Sequence, residues 1–225
     1  MSQTELRITE DGSHTLYLPD IDECYHSSHG AIQESQLIFI EYGLCECKKD
    51  VVNILEIGFG TGLNCFLSMI EAEKTKKKIR YTALELFPLD TEKALSLNFP
   101  EALNFNHRDT YEMLHTSEWN KEISISTYVD FIKIKADFTQ FAFTQYFDVI
   151  YFDAFSPEKQ PEMWTEEMFK KLYNASNSDA LLTTYCCKGD VKRALKSAGF
   201  TIEKLAGPIG KREVLRAKKH NQSVF

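Results

Sequence analysis

A doubly wound α/β fold is what this sequence predicts: a mostly parallel, seven-stranded sheet with a small N-terminal extension and an antiparallel C-terminal hairpin. Three observations carry it. From residue 51 onward, short apolar runs of strand length alternate with helix-like amphipathic stretches. The first run ends in a glycine-rich turn, Gly58, Gly60 and Gly62, which opens directly into a helical pattern. The last two runs, "FTIEKLA" and "REVLRAK", are joined by "GPIGK", which reads as a hairpin.

Each element follows in order. Residues 1–50 are assigned to an extension packing on the core, and residues 51–225 to the α/β domain. Within the extension, "HTLYLP" (14–19) reads as a short strand before a turn. "GAIQESQLIFIEYGL" (30–44) reads as a helix on its apolar spacing, although "LIFI" also suits a strand. "VVNILEI" is the first sheet strand, and a helix runs from Leu63 to about Lys74. "IRYTALEL" is the second strand, and Pro88 suits the first turn of a helix over 88–98. Residues 101–128 are irregular, with an inserted helix around "TYEMLH". "VDFIKIKADF" is the third strand. "YFDVIYFDAF" is the fourth and, being nearly all apolar, belongs in the middle of the sheet. A helix from about Thr165 to Ala175, the strand "ALLTTYCC", and a helix over Asp190–Ala198 stopped by Gly199 complete the alternation.

The bulk properties fit one such domain of 225 residues, with 43% apolar and 26% charged residues. No apolar run approaches the roughly 20 residues of a membrane span, and the polar, acidic N-terminus is unlike a secretory signal. A cytoplasmic protein with no membrane partner is expected. Six cysteines lack paired C-x-x-C spacing, which argues for reduced thiols and against zinc. The net charge of −7 argues against nucleic acid on its face, but ten Lys or Arg and only three acids fall within residues 188–225. That tail carries +7 and suits either a phosphate-binding face or a solvated basic end.

The glycine turn sits where an open α/β sheet binds its ligand, at a strand's carboxyl end near the switch point. A dinucleotide turn needs G-x-G-x-x-G, and here the third glycine comes one residue early. A phosphate-binding P-loop fails too, since no Lys-Ser/Thr pair follows. The spacing E-x-G-x-G-x-G, from Glu56 to Gly62, instead resembles the first motif of class I S-adenosylmethionine (SAM)-dependent methyltransferases. Glu56 would favour the cationic methionine end of SAM where it would repel a pyrophosphate. Glu85 ends the second strand, where a carboxylate accepts ribose hydroxyls. Asp137 follows the third, where it can accept from an adenine amino group with Phe138 packing on the ring. Any one of these acids alone reads as a surface or capping residue; three at successive strand ends read as a site.

Asp153 ends the fourth strand, with Pro157 four residues on. A carboxylate there would lie beside the reactive methyl group and orient, or deprotonate, a target amine. The alternative is a helix cap. Phe155 and Trp164 either wall a target base or belong to the core.

The stretches "EIGFGTGLN", "ALELFPL", "FDAFSPEKQPEMWTEEMF" and "GKREVL" resemble the methyltransferase domain of the MnmC-type enzymes of tRNA 5-methylaminomethyl-2-thiouridine synthesis, and "YHSSHGAIQESQLIFI" resembles the N-terminal segment of stand-alone relatives. The likeness runs over most of residues 14–217 and is weakest across 101–128. It implies a Rossmann-like, SAM-dependent N-methylation of the 5-aminomethyl group of a (2-thio)uridine at the tRNA wobble position. It places SAM contacts on Glu56, Gly58, Gly60, Thr61, Gly62, Asn64, Glu85, Asp137 and Phe138, and the amine-facing role on Asp153. The tRNA would meet Phe155, Pro157, Trp164 and the basic residues Lys188, Arg193, Lys211 and Arg212. His26 and His29, with Tyr25, would form part of a lid. A chain of this length leaves no room for the flavin-dependent oxidase of bifunctional members. No flavin, no metal, and a separate enzyme supplying the aminomethyl-uridine are therefore expected. The competing function is methyl or aminopropyl transfer to a small-molecule amine, which the overall acidity suits.

Overall fold

The computed structural model describes residues 4–103 and 107–220; the parts of the N-terminal extension, the 101–128 stretch and the basic tail that fall outside these ranges are not described. The extension opens with three antiparallel strands, β1 (Glu5–Ile8), β2 (His14–Leu18) and β3 (Glu23–Cys24), in the order β1-β2-β3. The predicted strand at 14–19 is the middle one of these. The predicted helix over 30–44 is composite. Helix α1 (Ala31–Ser35) continues into a π-helical turn, Gln36–Glu41, and a 3₁₀ turn follows at Leu44–Glu46. Ile38, Phe39 and Ile40 are all buried, so three consecutive apolar side chains must face protein. The wider π turn occurs where "LIFI" packs against both its neighbouring helix and the sheet.

The main sheet contains β4 (Val51–Ile57), β5 (Lys78–Glu85), β6 (Ile123–Ser126), β7 (Val129–Lys135), β8 (Phe147–Phe152), β9 (Ser176–Thr184), β10 (Thr201–Ala206) and β11 (Glu213–Lys218). Their order is β10-β11-β9-β8-β4-β5-β7-β6, with β9 through β7 parallel and both ends antiparallel. Eight strands therefore replace the seven expected. The extra one, β6, lies in the stretch read as irregular. It is short, serine-rich, only half-buried, and pairs with β7 through a register shift at Ser124/Ser126. Its Ile-Ser-Ile-Ser alternation spans only four residues, too short a run to mark a strand by itself.

The helices are α2 (Leu63–Thr75), α3 (Thr91–Leu95), α4 (Phe99–Ala102), α5 (Arg108–Thr116), α6 (Glu166–Asn174) and α7 (Gly189–Ser197). The helix expected over 88–98 is shorter than its pattern. Asp90 caps α3, its carboxylate accepting from Glu92 N at 3.0 Å, so Pro88 stays in the preceding loop. The "NFP" read as that helix's end instead starts α4, with Pro100 in its first turn.

Alternation within the central strands builds two cores. Val52 and Ile54 of β4 and Val149 and Tyr151 of β8 join one core with α2 and α5. Leu55, Ile57, Ile150 and Phe152 point the other way and meet α6 and α7. Helices on both faces explain why β8 is buried along its whole length. In α6, Thr165 Oγ1 caps Met168 N at 3.3 Å while Phe169 and Leu172 pack fully buried under the sheet. Phe169→Ala is expected to cost about 3–5 kcal/mol, measured by denaturant unfolding.

The chain runs β4, β5, β7 outward, then returns to place β8 on the other side of β4. The switch point thus falls between β4 and β8, and the loops after these strands, 58–62 and 153–156, meet there.

Candidate active site

The glycine turn is shaped by what lies beneath it. Gly58 has φ +91°, and a Cβ there would stand 2.6 Å from the Asp153 carbonyl oxygen. Two loops meet in a space that no other residue fits. Gly58→Ala should therefore lower the melting temperature, by about 2 kcal/mol or more of stability, and push apart the β4 and β8 ends. Gly62 has φ +73° and caps α2, with His115 Nε2 and the Phe59 ring each 3.0 Å from a built Cβ. Its constraint is helix entry and packing, and it stands behind the cavity wall.

A cavity of about 1150 Å³ opens over this turn. Gly58, Gly60, Thr61 and Asn64 line it from the β4–α2 junction, Glu85 from β5, Asp137 and Phe138 from beyond β7, and Asp153 from beyond β8. Eight of the ten residues assigned by sequence to the cofactor and the amine thus share one wall. Glu56 and Gly62 do not.

Glu56 is fully buried beneath Asn64. Its Oε1 accepts from Asn64 Nδ2 at 3.0 Å, and the same amide donates to Asp153 Oδ2 at 2.8 Å. Because one amide nitrogen donates both bonds, Asn64 bridges two carboxyl groups. Burial, and then the charge on Asp153, push the Glu56 carboxyl well above the usual range. Asp153 rises to about 7, chiefly through burial, with the Asn64 bond opposing and Glu34 adding. Glu56 Oε2 and Asn64 Oδ1 are buried acceptors without a partner.

Glu85 accepts Gly60 N at 3.0 Å through Oε2 and Phe87 N at 2.9 Å through Oε1, so one carboxylate anchors the glycine turn and its own loop. Asp137 Oδ1 accepts Thr139 N and Oγ1, at 2.8 and 2.7 Å, which turns the chain sharply after β7.

The start of the "FDAFSPEKQPEMW" loop is held by side chains at several backbone groups. Phe155 N donates to Gln160 Oε1 at 3.0 Å, and Phe155 O accepts Trp164 Nε1 at 2.8 Å. Ala154 O accepts the Tyr185 hydroxyl at 2.9 Å. Ser156 gives its N–H and hydroxyl to Glu23 of β3, at 3.0 and 2.9 Å. Trp164 is therefore a buried brace, packed on Phe152 at 4.8 Å between centroids, and not a cavity wall. Phe155 does line the cavity; Pro157 does not. Among the described residues no helix is capped by Asp153.

The extension reaches over the turn. The Tyr25 ring lies 3.0 Å from a Cβ built at Gly60 and packs edge-on against Phe155 at 5.2 Å. His26 Nε2 meets Thr61 Oγ1 at 2.6 Å, and burial holds this imidazole down at about 4, so it stays neutral. His29 instead pairs with Glu10 and sits against Gly210. Glu23, Gln160, Tyr185 and Glu34 complete this end; Gln160 lies within "FDAFSPEKQPEMW", and the other three are far from it in the chain and carried no signal in the sequence.

The basic tail is more neutral than its composition. Lys188, Arg193 and Lys211 pair with Glu158, Asp190 and Glu34, and Lys192, Lys204 and Arg216 also hold carboxylates. Lys211 lines the cavity; Lys188, Arg193 and Arg212 lie outside its wall. Among the described residues no cluster of three or more His, Cys, Asp or Glu could hold a metal ion, and no helix is long and apolar enough to cross a membrane.

An open α/β sheet whose switch-point cavity is walled by carboxylates and the unpartnered Asn64 Oδ1 is a nucleoside-binding fold adapted to a cationic group, and this set of acceptors fits SAM. The chain belongs to the S-adenosyl-L-methionine-dependent methyltransferase family, whose model matches residues 98–220. It is 28% identical over its full length to the tRNA 5-methylaminomethyl-2-thiouridine biosynthesis bifunctional protein MnmC of Aeromonas hydrophila subsp. hydrophila, covering 38% of that protein. It is 32% identical, over 89% of its length, to the MnmC of Leptospira borgpetersenii serovar Hardjo-bovis, covering 33%. The chain thus spans about a third of the length of these curated relatives. The crystal structure of MNMC2 from Aquifex aeolicus shares the fold, with a TM-score of 0.77 and 24% identity, over 96% of this chain and 70% of that one.

Proposed function

We propose that the chain methylates the 5-aminomethyl nitrogen of a (2-thio)uridine at the tRNA wobble position, giving 5-methylaminomethyl-(2-thio)uridine. The observation that carries this reading is Asp153, a carboxylate fixed by Asn64 at the mouth of β8 with a pKa raised to about 7. A carboxylate of that kind supports acceptance from an amine near neutral pH. The names of the relatives supply the tRNA.

In this reading Glu85 accepts the ribose hydroxyls, and Asp137 and Phe138 meet the adenine. The unpartnered Asn64 Oδ1 would face the methionine ammonium, with the buried Glu56 behind it as a support. Bound SAM supplies an electrophilic methyl on a cationic sulfur. The protein's part is to align the amine, exclude water and take the surplus proton on Asp153. Phe155 and Tyr25 flank the entering base. Lys188 and Arg193 exchange their carboxylate partners for tRNA phosphates, which such exposed ion pairs permit at little cost, and Lys211 and Arg212 contribute further cations. Residues 1–50 act as an extension that covers the domain of residues 51–225. The aminomethyl-uridine comes from a catalytic unit outside these 225 residues, and the reaction takes place in the cytoplasm, where the tRNA is.

The test is incubation with methyl-labelled SAM and tRNA carrying 5-aminomethyl-uridine, with nucleoside mass spectrometry of the product. One added methyl on that nucleoside is the expected result. Label appearing on free polyamines but not on the tRNA would replace this reading with the small-amine alternative.

A further inference from the structure

Tyr185 follows β9 and lines the same cavity as Asp153. Its ring is fixed from several sides. Trp164 meets it edge-on at 5.9 Å, and Lys211 Nζ stands 4.5 Å from its centroid, itself tied to Glu34. Its hydroxyl donates to Ala154 O at 2.9 Å. A phenol has one proton, and that one is committed, so toward any ligand the oxygen can only accept. Asp153 presents a second acceptor. Its Oδ2 takes the Asn64 amide, while Oδ1 takes no hydrogen bond among the described residues. The acceptor end therefore offers two fixed acceptors, each just beyond the end of one of two neighbouring parallel strands, β8 and β9.

A neutral primary amine has two N–H hydrogens and one lone pair. We infer that Tyr185 Oη and Asp153 Oδ1 accept those two hydrogens, so that the site methylates a primary amine once and then rejects the product. This rests on the amine-methylation reading above. The lone pair left over is the one that must form the new N–C bond. As it does so the C–S bond breaks with its electron pair going to sulfur, and the ammonium product loses its proton to Asp153. The resulting secondary amine has a single N–H. Rebinding would leave one acceptor unmatched or press the new methyl against an oxygen, and buried acceptors without donors are strongly disfavoured.

The experiment compares turnover of tRNA carrying the primary 5-aminomethyl group with tRNA already carrying the 5-methylaminomethyl group, products being read by nucleoside mass spectrometry. The unsubstituted protein should act on the secondary amine about 100-fold more slowly or worse. Tyr185→Phe, which keeps the ring contacts, should lower that preference by about 10-fold and yield dimethylated nucleoside, with SAM affinity by calorimetry within about 2-fold. Equal turnover of both tRNAs by the unsubstituted protein overturns the inference without recourse to a variant. So does a Tyr185→Phe protein that retains the original preference, whatever its kcat. Absence of any transfer to either tRNA by the unsubstituted protein overturns the tRNA reading itself.

Discussion

Asp153→Ala is expected to lower kcat by about 10²–10⁴-fold while SAM binding measured by calorimetry stays within a few-fold. The reason is geometric first. Asp153 is held by Asn64 Nδ2 at 2.8 Å and its backbone by Ile57 O at 3.0 Å, so the carboxylate is fixed before any amine arrives. Its pKa, raised to about 7 chiefly by burial, sets the pH dependence. Below that value the proton stays on Asp153, and the group can no longer accept one from the amine. The kcat of the unsubstituted protein should therefore fall about tenfold per unit below pH 7, and Asp153→Asn should lose that limb. The same shift makes a stability prediction of opposite sign. The folded pKa lies above the ordinary 3.8, so the unfolded chain ionises first, and stability declines as pH rises from about 4 to 7. Asp153→Asn removes that penalty. It should melt higher than the unsubstituted protein at pH 8, by about 1–2 kcal/mol of stability, and match it near pH 4. An Asp153→Ala protein with near-normal kcat would sink the assignment.

Glu85→Ala should weaken SAM binding by about 100-fold or more. Two effects add. A carboxylate accepting ribose hydroxyls contributes charge-assisted bonds of about 1.5–3 kcal/mol each. Glu85 also ties down Gly60 N and Phe87 N, at 3.0 and 2.9 Å, so its loss frees the glycine turn and the loop beyond β5. Calorimetric titration with SAM checks the number. Asp137→Ala should cost less, because Oδ1 is spent on Thr139 and the Phe138 ring is held independently by Phe152 at 6.1 Å. Equal affinities for the Glu85→Ala and unsubstituted proteins would remove Glu85 from the cofactor site.

The acids were legible because strand ends are legible. A buried parallel strand is an apolar run, and the first charged residue after it stands at the carboxyl edge of the sheet, where ligands bind. Glu85, Asp137 and Asp153 obey that rule. Glu56 breaks it. It lies within β4, one residue before Ile57, so its side chain points into the core under α2 and not into the cavity. The hairpin and the central place of β8 were equally readable from pattern. The strand β6 and the π turn at Gln36–Glu41 were not, since one depends on pairing with β7 and the other on packing against two neighbours.

The basic tail and the aromatic pair mark the boundary between the two kinds of information. Composition put the cations in residues 188–219 but could not tell that Lys211 reaches Glu34 across 177 positions, or that Trp164 turns inward to hold Phe155 O. The sequence by itself determined the fold class, the glycine turn and three of the four acids, because each depends on local period and on order along the chain. Only the tertiary structure decided which polar groups meet. The bond from Asn64 to Asp153, the tie of Ser156 to Glu23, and the two acceptors at Tyr185 and Asp153 join residues tens of positions apart or more. Such contacts are set by where strands and helices stop in space, which no window of sequence contains.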